Sequence, residues 1–313
     1  MLAVTLKEFG PPQVLTPAEV PDPVPGPGQV LVEVEFVNIT FVETQIRAGR
    51  PPNPAMAPAL PAVLGNGVGG VVSTTGARVV TATGGSGGYA QRCAVPADGL
   101  IAVPDPLPLD AAVALLADGR TALALTEVAA PGPGETVVVE AAAGGVGSLL
   151  VQLAKRSGAR VIALAGGPRK LAVARDLGAD LGVDYRDPSW PETVGRQAGR
   201  VDVVFDGVGG EVGRAAFGLL APAGRYAGFG MASGSFAAIP PADQPGIARL
   251  TTRPLSPAQS AELTRRALEL AARGELRPVI GQRFPLERAA DAHAAIEARS
   301  TIGKTLLTTD PYR

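Results

Sequence analysis

Apolar and polar positions change texture along this chain. Up to about residue 118 they alternate over short stretches: LAVTLKEF opens the pattern, and QVLVEVEFVNI repeats it with Val30, Val32, Val34 and Phe36 on one face. A period of two turns one side of a strand to a core and the other away from it. Further strands are expected over 70–73, 77–81 and 89–95, punctuated by Gly-rich turns such as TATGGSGGYAQ, and a Pro-rich crossing, PAEVPDPVPGPGQ, follows the first strand. A helix is expected near 41–48, and PPNPAMAPALP reads as a solvated connection.

From about residue 108 the pattern turns helical. LPLDAAVALLADGRTALALTEV reads as two helical stretches broken near Asp118 and Gly119. Uninterrupted apolar strands at Thr136–Glu140, Arg160–Ala165, Leu181–Asp184 and Val201–Asp206 then alternate with helical segments. A parallel sheet covered on both faces requires that alternation, so a doubly wound α/β domain is expected over 120–252. An amphipathic helix follows, SPAQSAELTRRALELAARGEL, opened by Ser256-Pro257 and closed by Gly274. The remainder reads strand, helix, strand, and has no room in the α/β domain. The expected organisation is a β-rich domain over 1–119, the α/β domain over 120–252, and a segment over 253–313 that returns to the first domain.

Composition narrows the chemistry. At 313 residues the chain has room for about two domains. The 28 Lys+Arg against 29 Asp+Glu leave a formal net charge of −1, which offers no basic field for nucleic acid. One cysteine, Cys93, and one histidine, His293, exclude an intrachain disulfide and a Cys/His zinc cage. No stretch approaches the ~18 consecutive apolar residues of a membrane helix, and MLAVTLKEFGPP lacks the apolar core of a signal peptide. A cytoplasmic protein with no membrane partner is expected. His293 is expected at the surface or an interface, and Cys93 as a small packed side chain.

The sharpest motif is VVVEAAAGGVGSLLVQLAKRSGARVIALAGGPRK. A strand ends at Glu140, a turn of small residues reaches Gly147, and a helix runs to about Ser157 before a second strand. A pyrophosphate at a helix N-terminus needs such a turn, so that backbone N–H groups can approach it; Gly144, Gly145 and Gly147 meet that need. The second strand closes on Ala165-Gly166-Gly167-Pro168-Arg169-Lys170, with no carboxylate before Asp176. A carboxylate there would bind the ribose 2′-hydroxyl of NAD, whereas basic groups pair with the 2′-phosphate of NADP, so NADPH is the expected cofactor.

These residues, together with LKEFGPPQVL, FVETQIRAG, FDGVGG, GRYAGFG, RFPLERAADAH and TIGKTLL, resemble the zinc-free quinone oxidoreductase branch of the medium-chain dehydrogenase/reductases over nearly the whole chain. The resemblance implies a GroES-like catalytic domain built from both chain ends, a central Rossmann domain with a doubly wound parallel sheet, and a homodimer. It implies 2′-phosphate contacts at Gly166, Lys170 and Tyr185, beside the Arg169 and Lys170 read from the strand end. Further cofactor positions are implied at Thr121, Ala143, Gly144, Gly145, Val146, Gly207, Phe229, Gly230, Met231 and Arg299. Where the zinc branch carries a Cys and a Gly-His-Glu motif, this chain has Thr40 and LGNGVGG, so no metal is expected. Quinone reductases of this type place an Asn and a Tyr at the nicotinamide; here Thr40 and Gln45 align with them, with Asn38 two residues earlier, and either Asn38 or Thr40 takes the Asn role.

The expected activity is hydride transfer from NADPH to a quinone or α,β-unsaturated carbonyl in a cleft between the domains. Without a metal, charge that reaches the acceptor oxygen is stabilised by hydrogen bonds. Two other readings stand beside it. One is an enoyl-thioester reductase, with Arg47, Arg50 and Arg120 contributing to a positive groove. The other is a non-catalytic NADPH-binding sensor or structural protein.

Overall fold

The computed structural model describes residues 1–239, 246–250 and 254–309. In chain order the first half holds β1 (Leu2–Leu6), β2 (Leu15–Glu19), β3 (Gln29–Asn38), α1 (Phe41–Arg47), β4 (Ala62–Val72), β5 (Arg78–Ser86), β6 (Arg92–Pro96), β7 (Ile101–Ala102) and α2 (Leu109–Ala129). Next come β8 (Thr136–Glu140), α3 (Gly145–Arg156), β9 (Arg160–Ala165), α4 (Pro168–Asp176), β10 (Leu181–Asp184), α5 (Trp190–Ala198), β11 (Val201–Asp206), α6 (Gly210–Phe217), β12 (Leu220–Gly228) and β13 (Ala248–Leu250). The chain closes with α7 (Pro257–Ala272), β14 (Ile280–Pro285), α8 (Ala289–Glu297) and β15 (Lys304–Thr308).

The molecule divides into two compact units: unit 1 comprises Met1–Arg120 and Pro257–Arg313, and unit 2 comprises Thr121–Ser256. The boundary expected at 252/253 lies outside the described residues.

Unit 1 is built on a mostly antiparallel sheet ordered β14-β15-β3-β4-β1-β2, to which β5, β6 and β7 attach. The last strand of the chain, β15, lies antiparallel to β3, placing Leu306 opposite Asn38. Val32, Val34, Val37, Val68, Val79 and Leu307 share one apolar core; the expected alternation along β3 holds through Val34, and an irregularity before Phe36 brings Val37 rather than Phe36 into that core. The strand expected at 70–73 is the end of the longer β4, and β5 runs through the residues expected to turn at TATGGS. Glycine inside β4 serves close approach rather than a turn: a Cβ on Gly67 or Gly69 would collide with Leu116 or Val113 of α2, and one on Gly70 with the Glu33 carbonyl oxygen. The Pro-rich crossing begins as strand β2, paired with β1 along the sheet edge, where Pro17 is tolerated.

The break expected at Asp118 and Gly119 is absent, and α2 is continuous. A Cβ at Gly119 would lie 2.8 Å from Cβ of Ala267 on α7, so this glycine permits helix packing. Asp118 is buried and accepts a 3.0 Å bond from Lys304 Nζ, which is buried as well.

Unit 2 is a doubly wound parallel sheet ordered β10-β9-β8-β11-β12-β13. Its central strands β8 and β11 are buried along their whole length, as parallel strands with helices on both faces must be. The composition of β12 disguises it as a turn: a bulge takes up Pro222, Ala223 and Gly224 before pairing resumes at Arg225. The order runs outward from β8 in both directions, so the sheet's topological switch point lies between β8 and β11.

Candidate functional site

Because β8 to β12 are parallel, their carboxyl ends share one edge of the unit 2 sheet, and most of the expected cofactor positions follow those ends directly. Ala143, Gly144, Gly145 and Val146 follow β8; Gly166, Arg169 and Lys170 follow β9; Tyr185 follows β10; Gly207 follows β11; Phe229, Gly230 and Met231 follow β12. Thr121 is on α2.

The turn after β8 is tight. Ala141 stands in the left-handed region (φ 47°), and its carbonyl accepts from Gly144 N at 2.7 Å. A Cβ on Gly147 would run into that same carbonyl. The chain then enters α3, whose first turn leaves backbone N–H groups without intrahelical partners at the positive end of the helix dipole. The turn after β11 is equally close: Phe229 N and Gly230 N donate to the Asp206 carbonyl (2.9 and 3.2 Å), and a Cβ on Gly230 would strike the Gly207 carbonyl oxygen.

After β9 the chain bends at Gly167 (φ 94°) into α4. Tyr185 and Arg186 fold over this bend. A Cβ on Gly166 would lie 3.4 Å from both Tyr185 Oη and Arg186 Cδ, and one on Gly167 would lie 2.7 Å from Arg186 Nη2. Arg186 was missed in the sequence because nothing in its neighbours predicts that β10 returns its side chain to the β9 turn. Its guanidinium forks onto Asp184 (2.7 Å between Nη2 and Oδ2) and holds that carboxyl below the usual carboxylate range. Lys170 is half-buried and Arg169 exposed, both in the first turn of α4.

Two buried carboxyls brace the same edge. Asp206 Oδ1 accepts from Val208 N and Gly209 N (2.9 and 2.6 Å), while Tyr226 Oη donates to its other oxygen. Glu140 accepts from Val208 N (3.1 Å), and burial together with the adjoining Asp206 raises its pKa well above the usual carboxylate range.

In unit 1, Thr40 caps α1 and is half-buried. Its N–H and hydroxyl both donate to Glu43 Oε2, at 2.6 and 2.9 Å, and Asn66 N donates to Glu43 Oε1 at 3.1 Å. Glu43 is buried, and burial pushes its pKa up to about 7. Asn38 is fully buried at the end of β3, and neither polar atom of its amide has a partner among the described residues. Gln45 is buried and donates to Thr44 Oγ1. Arg299 follows α8 in the left-handed region (φ 53°) and is exposed.

Two expectations are corrected here. His293 lies neither at the surface nor at an interface seen in this chain: it is fully buried on α8, with Nε2 2.8 Å from Tyr89 Oη and the two rings edge to face. Burial, with nearby Arg47, lowers its pKa to about 3. Arg47 does not contribute to an open groove, because it is buried against Glu297 and the Gly10 carbonyl. Cys93 is packed in the core, as expected, and burial pushes its thiol up to about 12.

The chain is 31% identical to a quinone oxidoreductase of Pseudomonas aeruginosa over 96% of this chain and 97% of that protein. The chain belongs to the quinone oxidoreductase branch of the medium-chain dehydrogenase/reductases. This branch also accounts for a 32% identity to a 2-haloacrylate reductase of Burkholderia, covering 98% of each chain. Quinone oxidoreductase of Escherichia coli, solved in complex with NADPH, superposes with a TM-score of 0.89 at 29% identity, over 98% of this chain and all of the other. Residues 177–307 match the family described as zinc-binding dehydrogenase. Among the described residues, no three His, Cys, Asp or Glu side chains gather to hold a metal, and no helix is long and apolar enough to cross a membrane.

Proposed function

We propose that the protein is an NADPH-dependent reductase that delivers a hydride to a quinone or an α,β-unsaturated carbonyl. The observation that carries this reading is the gathering, at one edge of the unit 2 sheet, of a Gly-rich helix N-terminus with the basic bend that follows β9. The residues fit a dinucleotide: Gly147 and Gly230 let their turns pack backbone on backbone, which sets the first-turn N–H groups of α3 at the sheet edge where a pyrophosphate can accept from them, and Arg169, Lys170 and Tyr185 suit a 2′-phosphate. In this reading Ala143 to Val146 hold the pyrophosphate, Gly166 joins the 2′-phosphate contacts, and Thr121, Gly207, Phe229, Gly230, Met231 and Arg299 line the remainder. NADPH, when bound, supplies the hydride from its nicotinamide. Thr40 rather than Asn38 is assigned to the acceptor oxygen, because Thr40 is only half-buried whereas Asn38 is sealed in the core.

Similarity both to quinone oxidoreductases and to a 2-haloacrylate reductase supports an acceptor class that includes activated alkenes. The burial of Arg47 removes one contributor to a groove for a phosphopantetheine arm and so disfavours the thioester reading. The test is NADPH oxidation against a benzoquinone, a naphthoquinone, a 2-alkenal and an enoyl thioester, with NADH in parallel. Turnover of quinone or alkenal with NADPH preferred is expected; tight NADPH binding with no turnover of any acceptor would overturn the reading in favour of a non-catalytic binder. Lys170→Ala is expected to raise the NADPH Kd about 10- to 100-fold, the worth of one charge-assisted bond, and to leave NADH nearly unchanged. Equal effects on both cofactors would remove the 2′-phosphate assignment.

A further inference from the structure

Reduction of a quinone or enone consumes a proton as well as a hydride, and the residues around α1 include a side chain able to provide it. We propose that Glu43 holds this proton and passes it to the reduced acceptor through the Thr40 hydroxyl. The inference rests on the assignment of Thr40 to the acceptor oxygen.

A Glu at the third position of a helix is a common capping partner, and such a carboxylate is ordinarily solvated. Glu43 differs in being only 2% exposed. The groups that donate to it among the described residues, Thr40 N–H, the Thr40 hydroxyl and Asn66 N–H, are neutral, and so is the Tyr89 phenol that adjoins it. The charged and titratable groups that face it are already engaged. Lys304, from β15, is bonded to Asp118 at 3.0 Å. Tyr89, which precedes β6, is paired with His293 of α8, and both are kept neutral by burial. Arg47, on the same helix, is bonded to Glu297 and the Gly10 carbonyl. A buried carboxyl without a bonded cation keeps its proton to higher pH than a solvated one, and burial brings Glu43 to about 7, where it can donate under ordinary conditions.

The geometry gives that proton a route outward through Thr40. Glu43 is buried and Thr40 half-buried, and 2.9 Å separates Glu43 Oε2 from Thr40 Oγ1. With Glu43 protonated, the same contact runs in reverse, Oε2–H donating to Oγ1, and the threonine proton turns to the acceptor. As the incoming hydride bonds to the acceptor, an electron pair moves onto its oxygen. The Thr40 O–H bond then breaks as a new O–H bond forms on that oxygen, and the Glu43 O–H bond breaks to restore the threonine hydroxyl. Glu43 is left as a carboxylate and regains a proton from water by the same hydroxyl after product leaves. Glu43 thus acts through Thr40, without touching the substrate.

The first measurement uses no turnover. Infrared titration of the whole protein is expected to show a carboxylic acid carbonyl band that disappears with a midpoint near pH 7 and is missing in Glu43→Gln. Retention of the same band in Glu43→Gln would overturn the inference. The second follows quinone reduction with NADPH as a function of pH in H2O and D2O. For the wild type, kcat is expected to fall above about pH 7 with a solvent isotope effect; Glu43→Gln is expected to lose both features and about 100-fold in kcat, within the usual range for a general acid. Thr40→Val should behave like Glu43→Gln, and Thr40→Ser, which keeps the hydroxyl, should recover the pH profile. A wild-type profile and isotope effect in Glu43→Gln would overturn this inference alone, whereas absence of NADPH oxidation by the wild type would overturn it together with the proposed function.

Discussion

The two units bury polar side chains in contrasting ways. In unit 2 the buried carboxyl of Asp206 bonds to backbone two and three residues further on and to Tyr226, 20 residues away. In unit 1 the buried polar pairs join distant segments: Tyr89 with His293 across 204 residues, Lys304 with Asp118 across 186, and Arg47 with Glu297 across 250. Unit 2 therefore braces its strand ends over shorter spans, up to the 68 residues between Glu140 and Val208, whereas the polar centre of unit 1 exists only after both ends of the chain have met.

The largest expected effect follows from that difference. Asp118→Ala strands a buried ammonium at Lys304 and is expected to cost about 3–5 kcal/mol in urea unfolding. Asp206→Asn, which keeps an acceptor oxygen for the local N–H groups, is expected to cost about 1–3 kcal/mol. Equal losses would break the contrast.

The next effects are pH-dependent and of opposite sign within unit 1. His293 is depressed to about 3 in the fold against 6.5 in an unfolded chain, so its contribution is present above pH 6.5 and is lost as pH falls towards 3, by up to about 1.4 kcal/mol per pH unit. Glu43 is raised to about 7 against 4.5, so its contribution is complete below pH 4.5 and is lost as pH rises through 7, with a similar slope over a narrower window. Unfolding measured from pH 4 to 8 should show the acid loss diminished in His293→Gln and the neutral-pH loss diminished in Glu43→Gln. Unchanged slopes would mean that neither site is sealed as described. The smallest effect belongs to the surface of unit 2. Asp184→Asn breaks the exposed pair with Arg186 and should change stability by less than about 1 kcal/mol; a larger loss would mean that the bend at Gly167 depends on that pair.

The same contrast decides what could be read from the chain. The four strands β8 to β11 begin and end where their apolar runs do, and the turn after β8 follows from three glycines between a strand and a helix, because each depends on neighbouring residues. β12 escaped because its bulge residues Pro222 and Gly224 carry the chemistry of a turn, and only pairing with β11 restores the strand. Asp118 and Gly119 looked like a helix break for a similar reason. Their meaning lies in Lys304 and Ala267, about 150 and more residues downstream. The single histidine could be found by inspection, but its burial could not, since Tyr89 alone gives no sign of it. Likewise, Glu43 reads as an ordinary capping residue until β4 and β15 enclose it.

The pairing of β15 with β3 also sets a timetable for synthesis. A ribosome adds about 5–20 residues per second, so β3 waits on the order of tens of seconds before its partner strand has been made. Unit 2, whose sheet is drawn from one continuous stretch, can close during that interval. The nascent chain thus carries a finished parallel sheet while the Phe36–Asn38 end of β3, beyond its pairing with β6, stands open to chaperones or to neighbouring chains.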